Sequence, residues 1–297
     1  MRAFIVLVSV LATTQALGDW KEGLSVRFGL NPLGFGSSYF INVPRTVAQA
    51  KNSRWVLTPR PAGPMPSLVL YCPSQNDRSL CALFDNQNNV AGLQIALPIA
   101  DFQDAVMDWK TQGFTQWTPP ANSNGIVKSY WTIQQYFVSE ASLEDNVTNR
   151  EENTRLLNQN AVWVTGFDGK LLRVSANGAD IDNTASSGFT KQACVVLMGR
   201  HYYYNMTAQT ECTSRGILPW FPLVHSGELI GMGFLLFGKL NEKALVKDYF
   251  EKPDRSAVQM IVPDGPTCLY ELAENPGLVT MHTYYINTPW LINCINQ

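Results

Sequence analysis

The chain has 297 residues, with 22 basic and 24 acidic side chains, 6 cysteines and 3 histidines; 45% of residues are hydrophobic and 15% charged. That charged share lies well below the roughly 25% of ordinary soluble domains. The near-neutral balance also lacks the basic surface that nucleic acids or anionic membranes require, while the apolar share is ample for a large core.

In chain order, MRAFIVLVSVLATTQALGDW has the build of a secretory signal: Arg2, an apolar run over 3–12, then small Ala16 and Gly18 ahead of Asp19. The run is too short for the roughly 20 residues that span a bilayer, so no transmembrane segment is expected. The predicted organisation is a signal peptide over 1–18 and a single secreted domain over 19–297, with a candidate sub-boundary near 58–67. Losing Arg2 with the signal leaves 21 basic against 24 acidic groups, a net charge of −3.

Leu24, Val26 and Phe28 alternate as in a strand, and Pro59, Pro61, Pro64 and Pro66 predict an extended connector. SLVLYCPSQNDRSLCALFDNQNNVAGLQIALP reads as three strands separated by polar turns. DFQDAVMDWKTQG predicts a helix: Asp101 as cap, Phe102, Val106 and Trp109 at helical spacing, Gly113 as stop. SYWTIQQYFVS alternates as a strand, and SLEDNVTNREENTRLLNQ reads as an exposed helix or helical loop. AVWVTGFDGKLLRVS predicts a hairpin turning at Asp168-Gly169, and ANGADIDNTASSG a loop. LVHSGELIGMGFLLFGKL predicts a second hairpin at Ser226-Gly227, and EKALVKDYFEK a short helix. AVQMIVPDGPTCLYELAENPG reads as strand, turn and brief helix, and LVTMHTYYINTPWLINC as a closing strand. The expected fold is therefore α+β and β-dominated, an antiparallel or mixed sheet built from hairpins with a few short peripheral helices.

All six cysteines lie beyond the signal, and an even count in a secreted chain points to three disulfides. Sequential spacing favours Cys72–Cys81, Cys194–Cys212 and Cys268–Cys294. No CxxC, HxH or HExxH pattern joins the cysteines or histidines, so neither a metal nor another cofactor is predicted. Two sequons, at Asn146 and Asn205, are expected to carry N-linked glycans.

The stretch GRHYYYNMTAQTEC concentrates the most chemistry. As a strand it puts His201, Tyr203 and Asn205 on one face and Arg200, Tyr202 and Tyr204 on the other. A glycan on Asn205 would then place His201 at the surface. Arg200, Tyr202 and Tyr204 are the candidate binding residues, because a guanidinium and phenol rings facing a groove can hold a sugar or an acidic ligand. His225 and Glu228 on the second hairpin are the least bland alternative for catalysis. Ser226 is better explained as a turn residue than as a nucleophile, since no G-x-S-x-G elbow surrounds it. The expected function is extracellular binding of a ligand, glycan or partner protein. The alternatives are an extracellular hydrolase using His201, His225 or Glu228, and a secreted effector that acts on membranes through SANGADIDNTASSGFT.

Overall fold

A computed structural model describes residues 23–27, 39–144, 156–157, 159–241, 243 and 245–295. The signal segment and the Asn146 sequon lie outside these residues. Within them the chain is β-dominated and its sheets are antiparallel, as the sequence predicts.

One sheet is centred on β15 (Glu228–Phe237) and β17 (Leu278–Tyr284), which pair over seven residues. Outward from β15 lie β14 (Trp220–His225), β13 (Gly199–Tyr204) and β12 (Phe189–Val195); beyond β17 lie β1 (Ser25–Arg27) and β2 (Phe40–Asn42). The second sheet is centred on β6 (Val90–Pro98) and β9 (Tyr130–Tyr136). On the β6 side it continues through β5 (Leu80–Phe84), β4 (Val69–Cys72) and β3 (Val56–Thr58). On the β9 side it continues through β10 (Ala161–Thr165) and β11 (Leu171–Ser175), with β8 (Thr115–Trp117) on the other half of β9. The proline-rich stretch joins β3 to β4, which pair directly across it.

The sheets pack face to face. Phe114 meets Phe234, Phe137 meets Tyr285, Gln135 donates to Thr283, and the Trp220 indole donates to the Thr165 carbonyl across the interface. Central strands are therefore covered on both sides, which is why ELIGMGFLLF is an unbroken apolar run rather than an alternation. Its glycines serve close approach: a Cβ on Gly233 would lie 1.9 Å from the Phe221 ring. Both predicted tight turns form, with φ of 56° and 76° at Asp168 and Gly169 and 49° and 79° at Ser226 and Gly227. Positive φ at both central residues matches the right-handed twist of the flanking strands.

Four local expectations fail. DFQDAVMDWKTQG is not a helix: Phe102 and Gln103 form β7 (Phe102–Gln103), which pairs with β16 (Lys239–Leu240), and Asp104 turns the chain at φ 54°. Its helically spaced aromatics are instead claimed by tertiary partners, Trp109 stacking on Trp131 at 5.5 Å. ANGADIDNTASSG forms two short helices, α3 (Gly178–Asp182) and α4 (Thr184–Ser187), where Asn177 caps the first and Ile181 is buried; they follow α1 (Val47–Asn52) and α2 (Glu140–Glu144) in the chain. AVQMI belongs to a helix, α5 (Arg255–Ile261), started by the Asp254 side chain accepting from the Ala257 N–H. The described part of EKALVKDYFEK holds no α-helix; the Tyr249 hydroxyl donates to Asp77, and Glu251 bridges to Thr280 on β17.

Cys72 pairs with Cys81, but Cys194 pairs with Cys294 and Cys212 with Cys268, overturning the two other sequential pairings. The reason is topological. Cys194 sits on β12 beside the segment after β17, while Cys268 lies on α6 (Thr267–Leu272) against the loop that follows β13.

Candidate functional site

Two constellations stand out, on opposite faces of the first sheet. The strand alternation predicted for β13 is correct, but the strand ends at Tyr204. Asn205 is exposed in a turn at φ 46°, so its exposure says nothing about His201. His201 is wholly buried, which corrects the expectation of a surface histidine. The face bearing His201 and Tyr203 is covered by α5 and α6.

Under that cover His201 lies between Tyr203 and Phe221, at ring distances of 6.3 and 5.6 Å, with His282 edge-on at 5.7 Å. The His282 Nδ1 is 2.8 Å from Glu251 Oε2, and Glu251 Oε1 is 3.5 Å from Arg27 Nε. All three residues are at most 3% exposed. Arg27 sits opposite His282 in the β1–β17 register, so one β-ladder presents the cation and the imidazole to a carboxylate arriving from the 241–252 segment. Burial first, then the neighbouring His282, pushes His201 down to about 3, so its ring is neutral at physiological pH. Burial likewise raises the Tyr203 and Tyr284 hydroxyls above the ordinary phenol range. This cluster borders a small, partly open cavity of about 30 Å³ whose other walls, Thr280 apart, are apolar.

The opposite face carries the predicted binding residues. Arg200 and Tyr202 line an open surface pocket of about 280 Å³ with Lys191, Asp182, Val224 and the Ser226–Gly227 turn. Tyr204 is elsewhere: its ring packs on Phe167 and Phe189, in contact with the second sheet. β13 supplies Arg200 and Tyr202, β12 supplies Lys191, and the end of α3 supplies Asp182. Asp182 Oδ1 accepts from the Tyr202 hydroxyl at 3.1 Å and lies 3.3 Å from Lys191 Nζ. The Arg200 guanidinium donates one N–H to the Gln192 carbonyl at 2.9 Å, which fixes its direction along the strand. Burial, reinforced by Asp182, raises the Tyr202 hydroxyl, so it stays protonated and remains a donor. Sequence reasoning missed Lys191 and Asp182, although Lys191 pairs directly with Tyr202 across the ladder.

His225 and Glu228 face each other at the β14–β15 hairpin, and His225 is buried there, its imidazole lowered by burial. The histidine that meets His201 is His282, and neither His225 nor Glu228 is among the residues that line the cavity beside it. Among the described residues no group of three histidine, cysteine or acidic side chains is arranged to hold a metal, and no helix is long and apolar enough to cross a membrane. No family model, curated protein or solved structure matches the chain.

Proposed function

We propose that this chain is a secreted, disulfide-bonded binding protein, made with a signal peptide over 1–18 and matured as residues 19–297, that holds an acidic ligand group at the Arg200 pocket. The observation that carries the reading is the convergence of Arg200, Lys191 and Tyr202 on one open pocket of about 280 Å³. Two cations suit a carboxylate, and a guanidinium gives the bidentate geometry that a single ammonium lacks. Asp182 orients Lys191 and Tyr202 and can accept from a neighbouring hydroxyl, which favours a uronic-acid sugar over a bare acid. The chain's overall acidity, with a pI of about 5.9, argues for one local anionic group rather than a long polyanion. Three disulfides are compatible with an extracellular setting. The hydrolase reading has less support, because all three histidines are buried.

Calorimetric titration with uronate-containing oligosaccharides and their neutral counterparts tests the ligand. Binding should require the carboxylate, weaken with salt, and fall at least about tenfold in Arg200→Ala, the scale of a lost charged hydrogen bond. Equal affinity for the neutral sugars would overturn it. Secretion is tested on the same material: Asn205→Gln should remove the mass of one glycan from protein recovered outside the cell.

A further inference from the structure

We propose that the small cavity beneath α5 and α6 is a second binding site, for a short-chain neutral alcohol. Its polar end is made by Glu251, His282 and Thr280, and its apolar walls by Met198, Leu235, Phe237, Val258 and Ile261. His282 Nε2 and Thr280 Oγ1 are buried without a hydrogen-bond partner among the described residues. Buried polar atoms are normally satisfied, so two unpaired ones on residues that line one small cavity mark a place for a group that donates and accepts. A hydroxyl does both.

The charge state selects a neutral occupant. Arg27 already faces Glu251, and an ionised head group would enter this dry space with no counter-charge left to meet it. The walls ask for carbon beyond the hydroxyl. The cavity, at about 30 Å³, has room for two or three heavy atoms, since one water occupies roughly 10–15 Å³ on this measure. It is far below the roughly 150 Å³ that admits benzene, so rings are excluded and methanol or ethanol fits best. Longer chains would have to push aside Ile261 and Leu269, the latter on a helix held down by the Cys212–Cys268 bridge. This site is separate from the Arg200 pocket and does not depend on it.

The test is titration of the oxidised protein with methanol through hexanol, acetate and ethylammonium, followed by the His282 ring and Thr280 methyl resonances in NMR. The expected result is saturable shifts strongest for methanol and ethanol, weaker for hexanol, and none for either ion. Thr280→Val, which keeps the shape and removes the hydroxyl, should weaken ethanol binding about fivefold, the loss of one neutral hydrogen bond. Ile261→Phe should fill the cavity and abolish it. Near-UV circular dichroism establishes that both variants are folded, and a methyl-to-methyl contact between Ile261 and bound ethanol gives a readout on the unmutated protein. Shifts that rise linearly without saturation, that are unchanged in Thr280→Val, or that reflect only exchange of a trapped water would overturn the proposal.

Discussion

The Arg27–Glu251 pair can be dissected by removing its charges singly and together. Both side chains are within 2% of full burial and Nε lies 3.5 Å from Oε1. At an effective dielectric near 20, that separation corresponds to an attraction of about 5 kcal/mol. Most of it offsets the cost of taking both ions out of water, so the pair's net worth is small, whereas an abandoned partner is expensive. Glu251→Gln keeps an oxygen for the His282 Nδ1 and deletes only the charge. It should cost about 3 kcal/mol, and so should Arg27→Met. The double variant should lie within about 1–2 kcal/mol of wild type, giving a coupling of at least about 3 kcal/mol. Urea unfolding under non-reducing conditions, followed by the fluorescence of the chain's 8 tryptophans, supplies the three differences. Single losses that simply add would refute the reasoning, because they would mean that water reaches these ions in the native state.

Acid should destabilise the protein through His201. Its folded value is depressed to about 3, so the unfolded chain binds the extra proton first; stability is intact above about pH 6.5 and is lost as pH falls toward 3. His201→Phe should flatten the dependence between about pH 6 and 4 by roughly 1.4 kcal/mol per pH unit, and identical acid profiles would contradict the burial of that ring. Non-reducing peptide mapping should recover Cys194 joined to Cys294 and Cys212 joined to Cys268. Loop entropy then makes loss of the first bridge cost about 4–5 kcal/mol against about 3 for Cys72–Cys81, measurable as unfolding midpoints of serine pairs. Gly233→Ala should cost about 3 kcal/mol by driving a methyl into Phe221; a thermal midpoint within 2 °C of wild type would show that the two strands are less closely apposed.

What the sequence revealed followed the range of the interactions. The turns at Asp168-Gly169 and Ser226-Gly227 and the Cys72–Cys81 hairpin are set by neighbours, and each was legible. Apolar periodicity misled at Phe102, Val106 and Trp109, where strand pairing and ring stacking overrode helical spacing. At Val258 and Ile261 the β-branched content suggested a strand, although Asp254 after Pro253 was a readable helix start. Arg200 and Tyr202 were legible as partners because alternation within one strand suffices. Lys191 and Asp182 needed the ladder and α3. The Arg27–Glu251–His282 cluster joins three segments separated by more than 200 and about 30 residues, and no local pattern announces it.

The position of β1 also bears on how the protein is made. Ser25 pairs with Tyr284, 259 residues later in the chain (284 − 25). At about 5–20 residues per second, a ribosome takes roughly 13–50 s to deliver that partner. Throughout that interval β1 has β2 on one edge and no partner on the other, and the first sheet is closed only after translation has passed β17. Chaperone demand during synthesis, rather than stability once folded, is thus where substitutions in β1 such as at Val26 would be felt first.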